Sequence, residues 1–237
     1  MRTTRSTNKP IVCSLAFLLC AIGTVCANDT KTAYPAMAPV EQYRVRNASE
    51  EIAMSRSAAP TSISGDASIL TFGDHGYETA VKGKNGFVCL VERSWANGFD
   101  DAEFWNPKLR APICFNSAAA RTVLPAYLKR TEWVMAGASM PDMIERNRAE
   151  LAAKRIVRPE PGAMSFMMSK QGYLGDGAGH WHPHLMVYLS HVDGSDWGAN
   201  LQGSPIFAGR ADGGPYMTLF IPVPTWSDGT PAMMDVL

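Results

Sequence analysis

Residues 172–191, GYLGDGAGHWHPHLMVYLSH, run from a glycine-rich loop through three alternating histidines into an apolar segment. Four of the five histidines of the chain fall within these twenty residues. Pro183 fixes its own φ and pushes His182 into an extended conformation, so this part of the chain is not expected to be helical. The apolar run 184–190 favours a buried strand. The sequence therefore predicts a strand with histidines at its entrance.

The spacing of these histidines is compatible with a metal site. In an extended chain alternate side chains share one side, which would bring together His180, His182 and His184. Positions i and i+2 lie about 6.5 Å apart, close enough for two imidazoles to converge on one ion. His180 and His184 are roughly twice as far apart and need a bend, which Pro183 can supply. Imidazole ligands suit zinc or copper, so a site for one of these metals is one interpretation of the cluster.

Other readings of the same cluster stay open. The histidines can hold a small polar ligand, with Trp181 and Asp176 as further ligand contacts. They can also serve a metal-dependent or histidine-assisted hydrolase in which His182 or a metal-bound water reacts. The third alternative is a structural or envelope-interaction protein without a site, in which the histidines bond to backbone in a packed corner. The sequence indicates no particular substrate.

The amino terminus has the order of a secretory signal peptide. Arg2, Arg5 and Lys9 precede an apolar run over 11–25, and small residues lead up to Ala27. Because that run is shorter than the about 20 residues that span a bilayer, we predict cleavage after Ala27 rather than a retained anchor. The sequence thus predicts a periplasmic or secreted bacterial protein with no integral membrane segment after cleavage.

Charge and cysteine content follow from that cleavage. Without the three basic residues of the leader, 19 Lys and Arg face 22 Asp and Glu, a formal charge of −3 that gives no reason to expect nucleic acid as a partner. Cys89 and Cys114 are the cysteines that remain after it. In an oxidising compartment they are expected to pair and to stabilise the fold by about 3 kcal/mol. Two buried thiols or a reactive thiol are the alternatives.

The remaining elements predict one α+β domain over 61–237, preceded by a flexible lead-in and a helix over 28–60. We expect a mainly antiparallel sheet of about five to seven strands with two or three helices packed on one face. Helices are predicted over 117–136, bent by Pro125, and over 139–155. Strands are predicted at 68–72, 77–83, 87–93, 163–169, 184–190, 205–208 and 216–223. Asn85-Gly86 favours a hairpin between the second and third of these strands.

The irregular segment 95–112 combines rings with the acidic pair Asp100 and Asp101. Such a segment can line a sugar or cation pocket, because rings stack on these ligands and carboxylates accept their hydrogen bonds. The simpler interpretation is a loop pinned to the core by its rings, which we favour.

Two stretches, VKGKNGFVCLVERSW and GHWHPHLMVY, resemble those of uncharacterised exported bacterial proteins, and the likeness extends over most of the region after the leader. The resemblance implies a bacterial periplasmic or secreted setting. It implies no activity.

Overall fold

The computed structural model of the chain describes residues 34–177, 181–190, 193–210 and 216–232. The strands in these ranges are β1 Ser68–Gly73, β2 Gly76–Val81, β3 Val88–Glu92, β4 Ala111–Phe115, β5 Met164–Met167, β6 His184–Ser190, β7 Phe207–Arg210 and β8 Tyr216–Pro222. The α-helices are α1 Ala48–Arg56, α2 Thr61–Ser64, α3 Ser117–Thr122, α4 Leu124–Met135 and α5 Met140–Ala152. The predicted leader and His180 lie outside the described residues.

All eight strands join one sheet in the order β2-β1-β3-β4-β5-β6-β8-β7. Each neighbouring pair is antiparallel except β1 and β3, which are parallel. The α+β class and the mainly antiparallel sheet are therefore confirmed, whereas the predicted counts of strands and helices were too low. The unpredicted strand β4 contains Pro112, a residue that usually argues against a central strand. Strand β5 pairs with β4 only at Cys114 and Phe115. Pro112 therefore lies in a part of β4 that has no β5 residue opposite it.

The predicted hairpin at Asn85-Gly86 was wrong. Strand β2 pairs with β1 across the turn at 74–75, and the segment 82–87 carries the chain past β1 to β3. Tertiary hydrogen bonds hold this segment: the Lys84 amide donates to Asp66 O at 2.9 Å, and the Asn85 side chain donates to Ile63 O at 2.7 Å. The central residues of β3 are completely buried, whereas β2 is mostly exposed. Burial of β3 on both faces requires an inner position in the sheet, which outweighs the local turn preference.

The two faces of the sheet carry different cores. Leu90 belongs to the main cluster with Ile113 and Phe115, whereas its neighbour Cys89 belongs to a smaller cluster. Ile52 of α1 and Ile63 of α2 pack against that smaller cluster. Because successive side chains of a strand point to opposite faces, helices cover both sides of the sheet rather than the one side predicted.

Helix ends follow the local sequence. The Asn116 side chain accepts from the Ala119 amide at the start of α3, and Ser139 and Asp142 form a reciprocal capping box at the start of α5. Pro125 stands in the first turn of α4, so the helix predicted over 117–136 is divided into α3 and α4. No helix within the described ranges has both the length and the apolar composition needed to cross a bilayer.

Cys89 and Cys114 face each other across β3 and β4 at disulfide-bonding distance, with Cα atoms 4.0 Å apart. This bears out the predicted pairing. Both residues are completely buried.

Replacing both cysteines by alanine is expected to lower the free energy of unfolding by about 3 kcal/mol, because the cross-link closes a loop of 25 residues and restricts the unfolded chain. Urea unfolding of the double variant beside the oxidised parent measures this difference. A difference below about 1 kcal/mol would contradict the expectation. As a control, dithiothreitol is expected to leave the bond intact in folded protein, since neither sulfur is reachable.

Candidate functional site

A cleft of about 500 Å³ lies between the sheet and the helices. Strands β3 to β8 supply one wall, and α4, α5, the loop 96–101 and the loop residues Leu174 and Trp181 complete the lining. Most of its surface is apolar, and the polar side chains are few. Concave, mainly apolar clefts of this size with a few polar groups are typical of small-molecule sites.

His184 brings the predicted histidine stretch to this cleft. Its Nδ1 atom lies 2.8 Å from the carbonyl oxygen of His182, so Nδ1 carries the hydrogen and donates. The Nε2 atom has no hydrogen-bond partner among the described residues and is left as an acceptor. Burial lowers the pKa of His184, which favours the neutral ring.

Trp181 also lines the cleft and is held rigidly. Its indole Nε1 donates to the carbonyl of Ser169 at 2.9 Å, and its ring meets the ring of His184 edge-on at 5.5 Å. A Cβ atom on Gly172 would lie 2.5 Å from the indole ring. Gly172 therefore allows the Trp181 ring to pack directly against the backbone, where any side chain would collide with it.

The predicted metal site stays a prediction. In the part of the chain that the structure describes, no group of three His, Cys, Asp or Glu side chains is arranged to hold an ion. His182 and His184 are described and partly buried, and His180 is outside that part.

Asp176 lies in a polar surface cluster and does not line the cleft. Its carboxylate accepts hydrogen bonds from the hydroxyls of Tyr34 and Tyr173 and from Lys108 Nζ at 3.2 Å. These donors hold the pKa of Asp176 well below its usual range, Tyr173 having the largest effect. The structure therefore gives Asp176 a set of protein partners, and its predicted role as a ligand contact stays a prediction.

Glu92, which the sequence analysis did not single out, is the most unusual group of the cleft. It ends β3, shares the sheet face of Leu90, and is partly buried in the cleft wall. No described residue forms a hydrogen bond or salt bridge with its carboxylate. Burial raises its pKa to about 8, and the positive charge of Arg130 only partly opposes that rise.

Arg130 of α4 is bound to backbone rather than ion-paired with Glu92. Its Nη1 atom donates to the carbonyls of Trp95 at 3.0 Å and Asn97 at 2.8 Å. Its guanidinium stacks over the Phe99 ring, 4.2 Å from the centroid. The rings of Trp95, Phe104 and Trp105 are buried in the core, as the favoured interpretation of the loop 95–112 expected, and the loop also contributes Asp101 to the cleft.

Burial raises the pKa of Glu92 and lowers the pKa of His184. Both changes favour the neutral form of the side chain. Near pH 7 the cleft thus offers a protonated carboxyl as a donor and an imidazole nitrogen as an acceptor. Perturbed titratable groups in a cleft are a mark of functional sites. The sequence signal for Glu92 was an acid that interrupts the apolar face made by Val88 and Leu90, four and two residues earlier.

No protein-family model, no curated protein and no solved structure matches this chain.

Proposed function

We propose that this is an exported protein that binds a small organic ligand in the cleft between the sheet and helices α4 and α5. The proposal rests on the cleft itself, which has a volume of about 500 Å³, mostly apolar walls and a few polar groups. His184 and Trp181, two of the predicted site residues, belong to those walls. This geometry favours a bound molecule with an apolar body over a bare metal ion.

Hydrogen bonds fix two residues of the cleft wall in place, and this supports a cleft that stays open to a ligand. Trp181 is anchored through Ser169, and the Tyr188 hydroxyl is hydrogen-bonded to Ser165 at 2.8 Å. Such anchored side chains keep a cleft open and lower the ordering cost of binding.

The test is a titration with N-phenyl-1-naphthylamine, a neutral dye whose fluorescence rises in apolar surroundings. We expect saturable binding at one dye per chain. Ala126→Trp places a large ring in the cleft from α4 and is expected to weaken binding about tenfold or more. Ala149→Trp, on the exposed side of α5, is the matched control and is expected to bind like the parent.

Circular dichroism verifies that both variants fold, and Ala126→Leu serves as a milder block should the tryptophan disturb α4. Absence of dye binding, or equal binding by the parent and both Ala126 variants, would refute this location of the site.

A further inference from the structure

We infer that the cleft selects organic cations: a protonated amine placed beside Glu92 and enclosed by the aromatic side chains that line the same cleft. The inference rests on the proposed function and names the class of ligand for that same site.

The first support is the missing counter-charge of Glu92. A carboxylate in an apolar cleft is costly unless it is paired, and no described residue pairs with it. Arg130, whose positive charge acts on this carboxyl, directs Nη1 to two backbone carbonyls. A ligand ammonium group is a donor and a counter-ion at once, which is what this carboxyl lacks.

The second support is the ring composition of the wall. Tyr188 and Tyr216 meet edge-on at 5.7 Å, and the Phe220 ring lies 5.8 Å from that of His184, which in turn touches Trp181. All five line the cleft. Aromatic faces carry negative electrostatic potential and attract cations, most strongly where water is excluded.

The third support is the balance of charge around Glu92. The groups that face the cleft with it are Arg130 and Tyr127 from α4, Tyr188 and His184 from β6, Tyr216 from β8, and Asp101 from the loop. Burial raises the pKa values of Tyr127 and Tyr188 and lowers that of His184, so these three stay uncharged near neutral pH. Among the described lining residues, Arg130 is the one positive group facing Asp101 and Glu92, so a bound cation offsets the negative charge that Glu92 gains when it loses its proton.

A cation beside Glu92 also changes its ionisation. The pKa of the free carboxyl is about 8, so Glu92 is mostly protonated at pH 7. A bound ammonium group favours the charged form, and binding an amine at pH 7 is therefore expected to release nearly one proton.

The experiment compares three ligands of one shape, 1-naphthylmethylamine, 1-naphthylmethanol and 1-naphthoic acid, as competitors of the dye bound at pH 7. We expect the amine to bind about tenfold more tightly than the alcohol and the acid to bind most weakly. Glu92→Gln is expected to erase the preference for the amine, so that the amine and the alcohol compete with the dye about equally. Glu78→Gln, on the exposed strand β2, is the matched control and is expected to keep the preference.

Calorimetry in two buffers of different ionisation enthalpy measures the released proton, which is expected with the parent and absent with Glu92→Gln. Dye binding without preference for the amine, or a preference that survives Glu92→Gln, would overturn the cation assignment and leave the proposed function standing. Failure of the dye itself to bind would remove the proposed function, and the cation assignment with it.

Discussion

Glu92→Gln is expected to raise the free energy of unfolding by roughly 2–4 kcal/mol at pH 8 and to leave it unchanged at pH 4. The carboxyl has a pKa of about 8 in the folded chain, against an ordinary value of 4.5. Between those two pH values the unfolded chain has released the proton that the folded chain still binds. Rising pH therefore favours unfolding over this interval, and glutamine, which does not titrate, removes that loss.

Urea unfolding at half-unit steps from pH 4 to pH 8.5 measures the effect. The difference between variant and parent is expected to grow from about pH 4.5 and to level off above pH 8. Glu78→Gln, with the same change on an exposed strand, is expected to follow the parent within about 0.5 kcal/mol. Parallel curves for Glu92→Gln and the parent across the whole range would show that Glu92 ionises normally.

Arg93→Met is expected to lower the free energy of unfolding by about 3–5 kcal/mol. The guanidinium of Arg93 is completely buried and its Nη2 atom lies 2.8 Å from Glu51 Oε1, which is itself only 2 % exposed. It also donates through Nε to the Tyr43 carbonyl at 2.6 Å and lies 5.0 Å from the Phe72 ring centroid. Removing it leaves the buried Glu51 charge without its partner.

Arg121→Met is the matched control, because Arg121 pairs with Glu160 on the surface, where the two side chains are 61 % and 41 % exposed. That pair is expected to contribute less than about 1 kcal/mol. The double variant Arg93→Met/Glu51→Gln is expected to lose less than the sum of the two single losses, since each partner is costly only when left alone. Equal losses for Arg93→Met and Arg121→Met at neutral pH would refute the structural role of the buried pair.

The backbone of Arg93 also contacts a residue of the cleft. The backbone amide of Arg93 donates to the Tyr127 hydroxyl at 2.9 Å, and that hydroxyl is hydrogen-bonded to Tyr77 at 2.9 Å. Tyr127 lines the cleft. The hydrogen bonds with Arg93 and Tyr77 therefore hold the Tyr127 ring in its place in the cleft wall. Stability and site geometry are thus coupled at adjacent positions of the chain.

Local signals in the sequence determined several elements. Ser139 and Asp142 begin α5 through a capping box, and Pro125 separates α3 from α4. The apolar run after Pro183 forms β6 from His184 to Ser190. These signals act between residues a few positions apart, and short-range hydrogen bonds and steric limits are enough to fix them. Cys89 and Cys114 could also be paired from the sequence, because they are the two cysteines outside the predicted leader.

Tertiary structure decided the rest. No hairpin forms at Asn85-Gly86 because burying β3 on both faces required an inner position in the sheet, between β1 and β4. Glu92 became a candidate site residue only when six strands and two helices enclosed it, since a carboxyl acquires an unusual pKa from its surroundings and not from its neighbours in the chain. Local sequence determined many of the helices and strands, whereas the cleft and its chemistry depend on long-range packing that local patterns do not encode.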